Sequence, residues 1–132
     1  MKLSVRLYNP TDYETMARWL KARDWPEMPE DMLPKIGAVA EVDGKPVFMA
    51  FMYRTDSSIA WFAFPVSDPD SDHQIRARGL NAVVDVLKAE ASTRGYKTLL
   101  TTSGNDRLNE KLAEHGFIKG DENVTQMVWR VG

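Results

Sequence analysis

Apolar residues recur along this chain at two spacings, every second residue and every third or fourth. The switches between them divide it into strands and helices. Leu3, Val5 and Leu7 alternate with Ser4, Arg6 and Tyr8, which predicts a half-buried strand. Asn9-Pro10-Thr11-Asp12 reads as a turn followed by a helix start. Thr11 or Asp12 is the expected cap, and with Thr11 as cap Glu14 takes the capping-box position. That helix runs to about Ala22 with Met16, Trp19 and Leu20 on its inner face. Trp25 to Pro34 holds prolines at 26, 29 and 34, so it forms no long regular element, and one short helical turn fits after Pro29. Ile36 to Val42 is a strand, Asp43-Gly44 a hairpin turn, and about Pro46 to Tyr53 the return strand. In that return strand Val47, Met49 and Phe51 alternate with the equally apolar Phe48, Ala50 and Met52, which predicts cover on both faces. Asp56-Ser57-Ser58 turns the chain into Ile59 to Val66, again apolar on both faces. Pro65 cannot donate to a ladder, so this strand leaves its neighbour there or faces a gap.

The period then lengthens. From about Asp72 to Thr93 the apolar residues Leu80, Val83, Val84, Leu87 and Ala91 share one helical face, and Gly95 supplies the stop. Asp72 or Ser71 can cap this helix early; if one does, Arg76 to Asn81 fall inside its first turns and fewer free amides face a phosphate. Lys97 to Thr102 is a short buried strand, and the helix linking it to the strand before makes a right-handed parallel βαβ unit. Asn105 or Ser103 caps a second helix carrying Leu108 and Leu112, and Gly116 ends it. Phe117 and Ile118 begin another strand. Val124 to Val131 alternates once more and is expected to close the sheet, paired with Phe117 to Lys119. The fold class is α/β, a mixed α+β sheet flanked by helices, in one domain over residues 1–132.

Composition narrows the function classes. Apolar residues at 43% and charged residues at 27% are ordinary for a soluble globular protein. A net charge of −2 offers no footprint for nucleic acid or an anionic membrane. The chain has no cysteine, so disulfides, thiolate metal sites and a Cys nucleophile are excluded. No apolar run approaches the roughly 20 residues that span a bilayer. Ser4 and Arg6 interrupt any signal-peptide core at the start, so the expected location is cytoplasmic. The charges from Lys88 to Arg94 read as the solvated face of the long helix.

Two short motifs carry a resemblance. Arg76-Ala77-Arg78-Gly79-Leu80-Asn81 opens the long helix, and Asn105 is followed eleven and twelve residues later by Gly116-Phe117. In that order and separation they resemble the acetyl-coenzyme-A-binding half of the GNAT acetyltransferases. Asn81 stands where that family has Gly or Ala. The resemblance implies a GNAT-like central mixed sheet and acetyl-CoA as co-substrate. It also implies a gap beside the Ile59–Val66 strand, where the pantetheine arm pairs with backbone groups like a strand. The cofactor-binding residues it implies are Phe64, Val66, Arg76, Arg78, Gly79, Asn81 and Asn105. It places a variable, substrate-shaping region at the proline-rich segment, and it allows a homodimer through the C-terminal strands.

The residues themselves admit this chemistry without requiring it. A helix N-terminus suits a pyrophosphate, Gly79 would let the backbone come close, and Arg76 and Arg78 would give charge-assisted hydrogen bonds. Equally, Gly79 reads as a packing glycine and the arginines as solvated. Acetyl transfer needs a neutral amine and a proton for the departing thiolate. The position where many GNAT enzymes carry a Tyr is Leu112, and the Ile59–Val66 strand holds no acid. Glu41, Asp56, His73 and His115 read as surface or helix-end residues. Trp25 and Met28 are divided evenly between core and an acceptor or partner surface. Two functions follow: N-acetyl transfer from acetyl-CoA to a small-molecule or peptide amine, or a catalytically inactive GNAT-fold module that binds a protein.

Overall fold

The structure is a computed structural model that describes all 132 residues. It comprises two compact units, Met1–Thr102 and Ser103–Gly132. In the first, five strands form one sheet in chain order: β1 (Leu3–Leu7), β2 (Ile36–Val42), β3 (Lys45–Tyr53), β4 (Ile59–Ser67) and β5 (Thr98–Leu100). β1 to β4 are mutually antiparallel, and β5 joins β4 in parallel after helix α2 (His73–Thr93) crosses over. The mixed sheet is the α+β architecture expected from the sequence.

Alternation along the central strands sends side chains to two helices. Val39, Met49, Phe51 and Val66 meet Met16 and Trp19 of α1 (Tyr13–Ala22) in one buried cluster. Ala40 and Phe48, on the other face, meet α2 at Gly79. Val47 through Met52 of β3 are all buried, the cover on both faces that their apolar run predicts. Leu80, Val83, Val84, Leu87 and Ala91 of α2 are likewise all buried. The β2–β3 turn holds Asp43 at φ 51° and Gly44 at φ 81°, the paired left-handed conformation of a two-residue hairpin. One 3-10 turn, Glu30–Met32, follows Pro29 as expected.

Four expectations need correction. Asp12 holds the N-cap position of α1, one of the two expected, but its side chain makes no capping hydrogen bond. The side-chain cap is Asn9, whose Oδ1 accepts from Thr11 N at 3.0 Å while Asp12 Oδ2 accepts from Asn9 N at 3.0 Å. That box closes a 3-10 turn, Pro10–Asp12, ahead of α1. In β1, Leu7 is 56% exposed, whereas Arg6 and Tyr8 are half-buried, because Arg6 turns to Asp12 and Tyr8 joins the α1-side cluster. In β4, Trp61 is exposed at the pair Trp61–Leu100, so that strand is not covered on both faces throughout, and β5 beside it is not the buried strand expected, since Thr98 and Leu100 are exposed.

The fourth correction concerns the second unit. Its helix α3 (Asp106–Glu114) is capped by Asn105, whose Oδ1 accepts from Leu108 N at 3.1 Å. Gly116 adopts φ 90°, and residues 117–132 contain neither helix nor strand. The strands expected from Phe117 and over Val124 to Val131 are not formed, and Trp129 is 84% exposed. Alternation makes a segment compatible with a sheet, but a strand also needs a neighbour's ladder.

Candidate functional site

The open side of β4 is the most distinctive feature of the larger unit. β4 pairs with β5 only over Ile59–Trp61 against Thr98–Leu100. Thr101 Oγ1 then donates to the Phe62 carbonyl at 2.9 Å, and β4 continues alone on that side to Ser67. On its other side β4 stays on β3 but changes register: Phe51 faces Ala63, and Met49 faces Val66. Phe64 and Pro65 therefore share the place opposite Ala50 as a bulge. Phe64 sits at φ 53°, a left-handed conformation that costs a non-glycine residue on the order of 1 kcal/mol. Its ring packs on the α1-side cluster and meets Tyr53 edge-on at 5.8 Å.

The bulge decides which groups face outward. Asp68 N donates to Val47 O at 2.9 Å, so Asp68 faces β3. By alternation the Val66 backbone also faces β3, and its side chain lies in the core. The outward backbone at this end belongs to Ser67. Arg23, at the C-cap of α1, donates from one guanidinium nitrogen to the Ser67 carbonyl and from the other to Ser67 Oγ at 2.8 Å. Neither Ser67 nor Arg23 was marked by the sequence. They are 44 residues apart and belong to no motif, and the nearest signal was Pro65, which announced an open edge without saying who would reach it.

α2 begins where the early cap predicts. Asp72 Oδ1 accepts from Ile75 N at 2.9 Å, and Arg76 N already donates to Asp72 O at 3.0 Å. Arg76, Arg78, Gly79 and Asn81 thus lie within the helix rather than at its opening amides. Arg76 is half-buried and Arg78 exposed, and both guanidinium groups are without a hydrogen bond or ion pair. Asn81 is half-buried. Gly79 is turned to the sheet: a Cβ there would stand 2.9 Å from Phe48 Cβ and 3.6 Å from Ala40 Cβ. Close helix–sheet approach is by itself enough to account for this glycine. Gly79→Leu should lower stability by about 3 kcal/mol despite the better helix propensity of leucine, read as a lower urea midpoint at unchanged slope. An unchanged midpoint would contradict that packing.

Asn105 belongs to the second unit, where its side chain is occupied in capping α3. Leu112 is the buried residue of that helix and has no proton to give. Of the candidate acids and bases, Glu41 is held 3.3 Å from Arg6, Asp56 is exposed in a turn, His73 is the first residue of α2 and His115 is the C-cap of α3.

The proline-rich segment is pinned over the α1 side. Tyr13 Oη donates to Met28 O and Tyr53 Oη to Met32 O, each at 2.6 Å. Burial comes first in raising both phenols above their ordinary pKa, so both keep their protons at neutral pH. Met28 joins the core cluster, while Trp25 is 51% exposed with the Arg23 guanidinium 5.1 Å over its ring. Core and surface thus divide this pair of residues. A cleft of about 320 Å³ lies under the segment, lined by Tyr8, Pro10, Glu30, Leu33, Pro34 and Lys35. No helix is long and apolar enough to cross a membrane.

Comparison with known proteins finds no family model and no curated protein that match this chain. Solved structures do match. The ribosomal-protein-alanine N-acetyltransferase from Brucella melitensis biovar Abortus 2308 is 19% identical. That match has a TM-score of 0.66 and covers 99% of this chain and all of that one. The ribosomal-protein-S18-alanine N-acetyltransferase from Escherichia coli is 18% identical with a TM-score of 0.70, over 91% of this chain and 80% of that one. AAC(6')-Iy, in complex with the bisubstrate analog CoA-S-monomethyl-acetylneamine, is 18% identical with a TM-score of 0.66, over 99% of this chain and all of that one. At such identities the likeness speaks for architecture, and with the strand order and the unpaired end of β4 it leads to one conclusion: the chain has the fold of the GNAT acetyltransferases.

Proposed function

We propose that this protein is an acyl-CoA-dependent N-acetyltransferase whose acceptor is a small-molecule or peptide amine. The observation that carries the reading is the unpaired edge of β4 beyond Phe62, next to the start of α2. An extended amide-containing arm can add to such an edge as a strand does. Arg76 and Arg78, without partners in the fold, supply positive charge on the helix that follows. A neighbour of the same fold binds a coenzyme A bisubstrate analog, which favours the same donor class here.

In the reaction, the neutral amine attacks the thioester carbonyl carbon. The C–N bond forms, the C–S bond breaks, and the sulfur leaves as thiolate. β4 has no carboxylate and Leu112 no hydroxyl, so in this reading water takes the amine proton and supplies the one the thiolate needs. The side chains then bind and orient, and catalysis rests on proximity and on the intrinsic reactivity of the thioester.

The test is release of free thiol from acetyl-CoA across a panel of amines, for wild type and for Arg76→Glu combined with Arg78→Glu. Amine-dependent release that the double charge reversal abolishes is the expected result. A second reading, a partner-binding module without catalysis, is favoured by the exposed apolar side chains Ile118, Met127, Val128, Trp129 and Val131. It predicts no thiol release with any amine and indifference to the charge reversal.

A further inference from the structure

We propose that Arg23, reaching from the C-cap of α1, is a phosphate-binding residue for the acyl-CoA donor, acting with Arg76 and held in place by Ser67. The inference rests on the acyl-CoA reading above and adds a residue from outside the α2 motif.

Three features lead to it. The first is the state of the helix start. The Asp72 carboxylate caps α2, and Arg76 N–H is already in the helix ladder, so this terminus carries its own anion. A phosphate arriving here meets that carboxylate, so side-chain cations have to supply part of its binding.

The second is the geometry of Arg23. A guanidinium has five N–H donors in a rigid fork. Two of Arg23's are spent on the Ser67 carbonyl and hydroxyl, which fix its plane at the end of the open β4 edge. Three remain, and Trp25 lies against the guanidinium without consuming a donor. This is a pre-oriented donor set, whose ordering cost is already met by the fold.

The third is charge. Burial, and then the positive charge of Arg76, press Arg23 below the ordinary guanidinium value, while Asp68 acts in the opposite sense. Asp68 is itself buried and tied into its own turn, accepting from Asp70 N at 2.9 Å. The two guanidinium groups are close enough to repel one another, with the buried Asp68 carboxylate offsetting part of the Arg23 charge. An anion placed there relieves that repulsion.

The chemistry selects the ligand. A diphosphate or a 3′-phosphate offers the anionic oxygens a guanidinium fork needs, whereas the pantetheine arm offers only uncharged amides, hydroxyls and a terminal sulfur. Arg23 should therefore discriminate between coenzyme A and its phosphate-free fragment.

The experiment is a ligand titration followed by NMR with coenzyme A, 3′-dephospho-coenzyme A and pantetheine, on wild type, Arg23→Ala, Arg23→Lys and Ser67→Ala. The expected result is a roughly tenfold or greater loss of coenzyme A affinity in Arg23→Ala. Pantetheine affinity should be unchanged, Arg23→Lys should recover part of the loss, and Ser67→Ala should show a smaller loss in the same sense. The 3′-dephospho compound separates the two phosphate sources. If the Arg23→Ala loss is as large with it as with coenzyme A, Arg23 reads the diphosphate; if the loss disappears, it reads the 3′-phosphate. An equal loss for coenzyme A and pantetheine, or none for either, overturns the proposal and leaves Arg23 as a strut for β4 while the donor reading stands. Failure of wild type to bind coenzyme A at all overturns both.

Discussion

Phe51→Ala should destabilise the protein by about 4 kcal/mol, which for a chain of this length lowers the unfolding midpoint by about 15 °C. Phe51 is fully buried at the centre of β3, in the cluster where α1 meets the sheet. Its ring meets Tyr8 edge-on at 4.8 Å and lies across Gly37 on β2, its partner in register. A Cβ at Gly37 would stand only 2.6 Å from Phe51 Cδ2, so that glycine exists for the ring. Removing the ring forfeits its burial and leaves a cavity that two strands and a helix cannot close. The same contact makes the effects non-additive. Gly37→Ala should cost about 2 kcal/mol in the wild type, where a buried ring must shift, and much less in the Phe51→Ala background. Equal costs in both backgrounds, measured as urea midpoints, would contradict this account of the core.

Arg6→Ala should cost about 3 kcal/mol, and the loss should depend on pH in a defined sense. Asp12 is 4% exposed, and Arg6 grips both its oxygens at 2.7 and 2.8 Å. Burial opposes the Asp12 charge, but the Arg6 hydrogen bonds, the Asn9 amide and the Arg6 charge together outweigh it, and the carboxyl sits below its ordinary pKa. Arg6 in turn is raised, first by its hydrogen bond to Asp12. A lowered carboxyl pKa contributes stability that is present above the unfolded value near 4 and fades as pH falls through the folded value. Wild type should therefore lose stability on acidification below about pH 4, while Arg6→Ala loses less because its Asp12 has no guanidinium to hold it ionised. The two unfolding curves should converge at low pH. A difference that stays constant from pH 7 to pH 2 would show that Arg6 acts through packing alone.

The sequence disclosed the parts of this fold that depend on neighbours close in the chain. The α2 stripe from Leu80 to Ala91, the Asp43-Gly44 turn, the turn after Pro29 and the cap at Asn105 each depend on residues within a few positions, and each forms. Pro65 announced the open edge, because a missing N–H is a covalent fact. What it could not disclose is decided by distant partners. Arg6 in a strand looked solvent-facing until Asp12 and Glu41 came to it. Asn9 became a cap because a 3-10 turn precedes α1. Val124 to Val131 has the alternation of a strand, but no ladder accompanies it. At the site, Arg76 and Arg78 stood out through their motif, whereas Arg23 and Ser67 meet only when α1 has folded back across the end of β4.

The central claim is that the open end of β4, with the arginines beside it, receives an acyl-CoA. Thermal unfolding with and without millimolar acetyl-CoA tests it most directly, since a ligand that binds only the folded state must raise the midpoint. At a hundred times its dissociation constant the stabilisation is about 2.7 kcal/mol, roughly 10 °C for a chain of this size. The account predicts such a rise, and predicts that it vanishes when Arg76 and Arg78 are both changed to Glu. An unmoved midpoint at saturating acetyl-CoA would contradict it, leaving the fold in place and the acetyltransferase reading without its donor.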